Sequence, residues 1–213
     1  MSGHSQRQNR AARLAAIERL HRGELGALVL GDDAIYESVD AVQVVLPGAF
    51  NPLHDGHRKM AWVAATSLGC SVAFELSIEN VDKPPLDIDS IELRLEQFDK
   101  EQTICLTRAA TFVQKVRIFG NASFVVGADT ILRIADVRYY SDDSSRRDRA
   151  VQTIVEAGAR FLVFGRTMSD RFRTLGQLNL PEPLRSICRE VREEEFRHDI
   201  SSTEIRGTNS PNE

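Results

Sequence analysis

Two histidines, His54 and His57, stand three residues apart in a glycine-bearing segment at positions 48–57. The apolar run at 42–46 before this segment predicts a buried strand, and the sequence after it predicts a helix. The first N–H groups of a helix lack backbone partners, so a helix that begins at such a turn attracts anions. Gly56 lets the backbone approach a bulky anion because it has no Cβ. This combination indicates chemistry on a phosphate group.

The same histidines could instead form half of a metal site, because imidazole is a common metal ligand. The further ligands of such a site are not evident in the sequence. The three cysteines, Cys70, Cys105 and Cys188, form no Cys-x-x-Cys or similar pair. We therefore predict no metal ligand among the side chains. Unpatterned cysteines also fit a reducing cytoplasm, where we expect the protein to reside.

The composition of the chain fits one main globular domain with an adequate core. Of its 213 residues, 42% are hydrophobic and 27% are charged. No apolar run approaches the roughly 18 residues that a membrane span needs, and the polar start of the chain does not resemble a signal peptide. The net charge of −4 gives no basic field for nucleic acid. We expect neither a membrane nor a nucleic acid as partner, and the sequence leaves a homo-oligomer open.

Strand-like and helix-like segments alternate from residue 42 onward. This order predicts an α/β fold, a Rossmann-like, doubly wound and mainly parallel sheet with helices on both faces. Ligands of such sheets bind outside the carboxyl ends of the strands. Three predicted strands end there in glycine, at Gly48, Gly127 and Gly165. We divide the chain into a domain at 42–213 and an N-terminal appendage at 1–41, a helix with short strands and no chemical motif.

A second candidate anion site lies near the C-terminus. Ser201, followed three residues later by Glu204, is a capping-box pattern that predicts the start of a helix. Hydroxyl groups of Ser202 and Thr203 and the guanidinium of Arg206 follow it. An arginine fork can donate two parallel, charge-assisted hydrogen bonds to a phosphate. Alone, this segment could be an ordinary helix cap with a surface arginine; together with the first motif it favours a ligand with several phosphates.

The two motifs, Gly-x-Phe-Asn-Pro-x-His-x-Gly-His and Ile-Ser-Ser-Thr-x-Ile-Arg, together resemble those of the nucleotidylyltransferase superfamily with the HxGH signature. The resemblance covers residues 42–206. Phe-Asn-Pro and the Gly-Ala-Asp at 127–129 are most similar to nicotinate or nicotinamide mononucleotide adenylyltransferases. The segments at 74–77, 82–86 and 198–206 resemble the adenylyltransferase-like domains that some proteins carry after a CinA-like domain.

The resemblance implies that residues 42–213 form a nucleotidylyltransferase-like domain. Its reaction would transfer AMP from ATP to a phosphorylated acceptor, nicotinamide or nicotinate mononucleotide, and release pyrophosphate. The residues implied to be catalytic are His54, His57 and Arg206. Those implied to bind the nucleotide are Gly48, Ala49, Phe50, Asn51, Gly56, Gly127, Asp129, Ser201, Ser202, Thr203 and Ile205. Mg²⁺ would be held through the nucleotide phosphates.

The acceptor side of the site departs from the family pattern. Mononucleotide adenylyltransferases often have a Trp-Tyr pair after the Gly-Ala-Asp helix, where this chain has residues 138–140, Arg-Tyr-Tyr. Lys83 and Tyr139 are the candidates for contacts with the acceptor. The one tryptophan, Trp62, falls on the helix after the first motif and is expected in the core. Asp129 could alternatively cap the helix that follows it.

Other functions stay open. A cytidylyltransferase that acts on a phosphorylated small molecule would hold the same triphosphate with the same two motifs. A non-catalytic nucleotide sensor of this fold is a second alternative, although both histidines and Arg206 are present and no catalytic lesion is evident. Class I aminoacyl-tRNA synthetases share the histidine motif, but this chain is short and lacks their lysine-rich second signature and a basic region for tRNA.

Overall fold

The computed structural model describes residues 2–31, 34–81, 84–168 and 171–196. Within these ranges one large sheet is flanked by helices on both faces. The helices are α1 (Ser2–His21), α2 (Asp55–Leu68), α3 (Ile88–Leu95), α4 (Phe112–Phe119), α5 (Ala128–Ala135), α6 (Ser144–Glu156) and α7 (Glu182–Ser186). The strands are β1 (Ala27–Gly31), β2 (Ala34–Tyr36), β3 (Val44–Pro47), β4 (Ala73–Ser77), β5 (Ile104–Thr107), β6 (Ser123–Gly127), β7 (Arg160–Phe164), β8 (Arg166–Met168), β9 (Arg171–Arg173) and β10 (Cys188–Val191).

The large sheet has eight strands in the order β10-β7-β6-β3-β4-β5-β1-β2, while β8 and β9 form a separate hairpin. The first six strands in this order, β10, β7, β6, β3, β4 and β5, run parallel to one another. Strand β1 pairs antiparallel with β5, and β2 pairs antiparallel with β1. From β3 the chain moves outward through β4 to β5, then returns to β6 on the other side of β3. This reversal opens a crevice at the carboxyl ends of β3 and β6, where doubly wound sheets bind ligands. The predicted fold is confirmed.

Two apolar cores attach the helices, one on each face of the sheet. Side chains alternate between the faces of a strand, so Leu46 of β3 joins one core and Val45 joins the other. The core that contains Leu46 also includes Ile17 of α1, Ala64 of α2 and Ile91 of α3. Helices α4 to α7 pack on the opposite face. The first motif therefore lies between two packed layers that fix the direction of β3 and α2.

The segment before residue 42 is built into the sheet. Strand β1 pairs with β5 along its length, with Leu28 opposite Leu106. Ile17 and Leu20 of α1 are fully buried in the core. Four consecutive buried residues in β1 explain this placement, because such a run needs cover on both faces. The expected appendage at 1–41 thus shares the core of the rest of the chain, while a domain boundary at residue 42 stays a prediction.

The side chain of Trp62 corrects one expectation. It was expected in the core but is 66% exposed. The buried face of α2 is formed by small residues, among them Ala61 and Ala64, which bring the helix close to the sheet. None of the helices in the described ranges combines the length and the apolar character that crossing a bilayer requires.

Candidate active site

The first motif forms the turn between β3 and α2. His54 is the N-cap of α2, in extended conformation (φ −141°, ψ 169°). Its carbonyl oxygen accepts hydrogen bonds from the N–H groups of His57 (2.9 Å) and Arg58 (3.3 Å). Gly56, in the first turn of the helix, is buried. The strand and the turn are where the sequence predicts them, while α2 begins at Asp55, three residues before the predicted start at 58. Both histidines lie at the positive end of the helix dipole.

The imidazole rings of His54 and His57 stack, with centroids 3.8 Å apart and planes inclined by 29°. Nδ1 of His57 accepts a hydrogen bond from the backbone N–H of His54 (3.3 Å). A neutral imidazole that accepts at Nδ1 carries its proton on Nε2, so His57 is an N–H donor at Nε2. The two histidines form one unit at the start of α2.

Phe50 packs beneath the histidines. It is 1% exposed, and its ring makes edge contacts with the rings of His57 (5.1 Å between centroids), Phe74 (5.6 Å) and Phe98 (5.3 Å). Its φ of +44° is unusual for a bulky residue. A Cβ at Gly48 would lie 2.6 Å from the Phe50 ring, so glycine leaves the space that this ring occupies. The structure places the Phe50 side chain in the core below the turn.

Two side chains from α3 and the turn after it hold the motif turn and were not predicted from the sequence. The Gln97 side chain accepts a hydrogen bond from the N–H of Leu53 (2.8 Å) and donates one to the carbonyl of Phe50 (3.0 Å). Nε of Arg94 donates to the carbonyl of Ala49 (3.1 Å), and burial lowers the pKa of this guanidinium. These partners lie more than 40 residues apart along the chain, so no local pattern identifies them.

The carboxyl end of β6 lies next to that of β3. Gly127 ends β6 and is the N-cap of α5, and Asp129 follows in the first turn of that helix. Oδ1 of Asp129 lies 3.5 Å from Nε of Arg166, and both side chains are about one-third exposed. A Cβ at position 127 would lie 2.6 Å from the Asp129 carboxylate. Two of the predicted nucleotide-binding residues thus share the crevice with the first motif.

A cleft of about 460 Å³ opens beside the motif turn. Gly48 and Ala49 form one part of its wall, Phe112 at the start of α4 another, and Arg133 of α5 a third. Tyr139, which the sequence predicts to contact the acceptor, lies in the same wall and is 46% exposed. The structure therefore brings the candidate acceptor contact and the motif turn to one cleft.

A buried ion pair, Glu75 with Lys115, lies at the bottom of this cleft. Nζ of Lys115 is 2.7 Å from both carboxylate oxygens of Glu75, and it also donates to the carbonyl of Ala109 (2.8 Å). The hydroxyl of Thr107 donates to the same carboxylate. Burial and the nearby Glu75 charge raise the pKa of the Cys105 thiol to about 12. This pair was not predicted from the sequence. The one local indication of it is Glu75 itself, a carboxylate among the apolar residues of strand β4.

Several predicted site residues lie outside the described residues. They are Lys83, Ser201, Ser202, Thr203, Ile205 and Arg206. Their assignments stay predictions. In the part of the chain that the structure describes, no three His, Cys, Asp or Glu side chains are grouped as a metal site requires.

A family model described as Cytidylyltransferase-like matches residues 45–208, which include both motifs and the strands that form the crevice. The chain belongs to the cytidylyltransferase-like family. This membership confirms the resemblance to the HxGH nucleotidyltransferase superfamily and makes a nucleotide the expected substrate of the site. It leaves the transferred nucleotide and its acceptor open.

A curated protein of Schizosaccharomyces pombe (strain 972 / ATCC 24843) is similar to this member of the family. It is named "Putative nicotinamide mononucleotide adenylyltransferase" and is 29% identical over 125 residues. The alignment covers 53% of this chain and 47% of the relative, so the chain spans about half the length of that protein.

Proposed function

We propose that this nucleotidyltransferase transfers AMP from ATP to nicotinamide or nicotinate mononucleotide and releases pyrophosphate. The observation that carries the proposal is the stacked pair of His54 and His57 at the N-terminus of α2. The turn that carries this pair also lines the cleft at the ends of β3 and β4. The name of the fission yeast relative supports adenylyl transfer to a pyridine mononucleotide. Asn51 in Phe-Asn-Pro supports it too, because cytidylyltransferases more often have Phe-Asp.

In the proposed reaction, an oxygen of the acceptor phosphate attacks the α-phosphorus of ATP. A new P–O bond joins the two nucleotides, and the bond from the α-phosphorus to the bridging oxygen breaks. The electron pair of that bond leaves with pyrophosphate. No covalent bond to the protein forms, so positioning and charge stabilisation supply the acceleration.

The histidine pair stabilises charge at the α-phosphate. His57 donates from Nε2, and His54 acts beside it at the same helix terminus. The open N–H groups of α2 add the field of the helix dipole. Donors that are already in place at the developing charge need no reorganisation during the reaction, which is why such sites accelerate transfer.

The remaining assignments follow the motifs. Asp129 accepts a hydrogen bond from a ribose hydroxyl or the edge of the base, and Arg206 with the hydroxyls of Ser202 and Thr203 holds the β- and γ-phosphates. Mg²⁺ would be held mainly by phosphate oxygens and water, as is usual for this ion, and would supply positive charge beside the leaving pyrophosphate.

Rates of pyrophosphate release test the proposal. The full chain is assayed with ATP or CTP, each with nicotinamide mononucleotide, nicotinate mononucleotide or a phosphorylated alcohol. We expect release with ATP and at least one mononucleotide. Faster release with CTP and the phosphorylated alcohol would favour a cytidylyltransferase, the alternative that the family description suggests. Binding of ATP without release for any acceptor would favour a nucleotide sensor.

A further inference from the structure

Most charged side chains that line the cleft are already paired. Glu75 forms the buried pair with Lys115, and Glu79 forms an ion pair with Arg108 at 2.6 Å. Arg133 is the remaining charged residue among the described residues of the wall. No carboxylate in the described ranges lies within 4.0 Å of its guanidinium. Among the described residues, Arg133 is therefore the cation of the cleft that no carboxylate neutralises.

The wall that carries Arg133 is firmly attached to the fold. Arg133 lies in the last turn of α5, whose Ile131 and Ile134 are buried in the core. The hydroxyl of Tyr140 donates to the carbonyl of Ile134 (3.0 Å). This hydrogen bond ties the turn that carries Tyr139 to the same helix. The guanidinium and the exposed aromatic ring are thus two features of one rigid wall.

We propose that Arg133 binds an anionic group of the acceptor. The inference rests on the proposed function, in which the acceptor is a pyridine mononucleotide, and on Tyr139, the candidate acceptor contact that lines this cleft. Such an acceptor carries a phosphate, and the nicotinate form also carries a ring carboxylate. A guanidinium binds either anion through two parallel hydrogen bonds.

Lys115 does not compete for this role. Its ammonium group has three hydrogens, and its described partners are the two oxygens of Glu75 and the carbonyl of Ala109. An acceptor anion near it would also face the Glu75 carboxylate. Residues such as Phe112 and Ile134 make other parts of the wall apolar. A guanidinium without a carboxylate partner in the described part of the wall, beside an apolar surface, can orient an acceptor that has one anionic end and one aromatic end.

Kinetics of three variants test the inference. Arg133→Met removes the charge at similar length, and Arg133→Lys keeps the charge but not the planar fork. Arg138→Met is the matched control, because Arg138 is exposed, pairs with Asp136 and does not line the cleft. We expect Arg133→Met to raise KM for the acceptor about tenfold or more, as for the loss of hydrogen bonds to a charged group. KM for ATP should stay unchanged, and Arg133→Lys should be intermediate.

The two mononucleotides distinguish the sources of the anion. If KM rises for both, Arg133 binds the phosphate; if it rises for nicotinate mononucleotide alone, Arg133 binds the carboxylate. An unchanged acceptor KM in Arg133→Met, or an equal rise in Arg138→Met, would overturn the inference.

Failure of the proposed function would be visible separately, as an absence of product from the wild-type protein with either mononucleotide. Calorimetric titration with nicotinamide mononucleotide and with nicotinate mononucleotide then tests Arg133 without turnover. Binding of either that weakens in Arg133→Met and not in Arg138→Met supports the inference. Equal affinity in wild type and Arg133→Met, or no binding of either to the wild type, overturns it.

Discussion

His57 uses its two ring nitrogens for different purposes, and substitution can separate them. Nδ1 accepts a hydrogen bond from the backbone N–H of His54, while Nε2 is the nitrogen that donates. Asparagine places an amide oxygen near the position of Nδ1 but has no group at the position of Nε2. We expect His57→Ala and His57→Asn each to lower turnover about a hundredfold or more, as for the loss of one preorganised donor.

Thermal unfolding of the same two variants separates stability from catalysis. His57→Asn can keep the hydrogen bond to the N-cap, so its Tm should lie closer to that of the wild type than the Tm of His57→Ala. Near-normal pyrophosphate release by His57→Asn would show that Nε2 is not the donor that the reaction needs.

At the scale of elements, the turn between β3 and α2 depends on the region of α3. The Gln97 side chain forms hydrogen bonds with the backbone of both Leu53 and Phe50, and it therefore fixes both ends of the segment just before His54. We expect Gln97→Ala to lower the free energy of unfolding by about 1–3 kcal/mol, because a partly buried donor and acceptor lose their partner. Turnover should fall as well, since small displacements of catalytic groups are costly. Urea unfolding and the rate of pyrophosphate release measure the two effects.

A glutamine on α6 provides the control for Gln97. Gln152 is exposed, and its side chain donates to Glu156 on the same helix. Gln152→Ala should change neither stability nor turnover appreciably. If Gln97→Ala also left turnover unchanged, the motif turn would hold its geometry without this side chain, and the dependence of His54 and His57 on Gln97 would be refuted.

The sequence predicts best those elements whose residue patterns lie within one short segment of the chain. The strand, the glycine turn and the helix around His54 lie within one short segment, and the structure contains all three, with the helix beginning three residues earlier than predicted. Strand β10 was not predicted, because Arg189 and Glu190 interrupt its apolar character at the edge of the sheet. The support of the turn by Gln97 and the pairing of Glu75 with Lys115 depend on tertiary packing, which no local pattern records.

At the scale of the whole molecule, the order of the strands places the site. The sequence predicts three glycines at the carboxyl edge, but only the fold shows that β3 and β6 are neighbours, with Gly48 and Gly127 at their ends. The incorporation of β1 beside β5 could not be predicted either, because its partner follows many residues later in the chain. The protein has a net charge of −4, so the proposed binding of a triphosphate would depend on local donors at this edge.

Product analysis tests the central claim most directly. The full chain is incubated with ATP, Mg²⁺ and nicotinamide or nicotinate mononucleotide, and the products are quantified by chromatography and mass spectrometry. Adenylyl transfer predicts that a dinucleotide and pyrophosphate form in equal amounts, and that neither forms without the acceptor. Formation of ADP and inorganic phosphate, or of pyrophosphate with no dinucleotide, would contradict it.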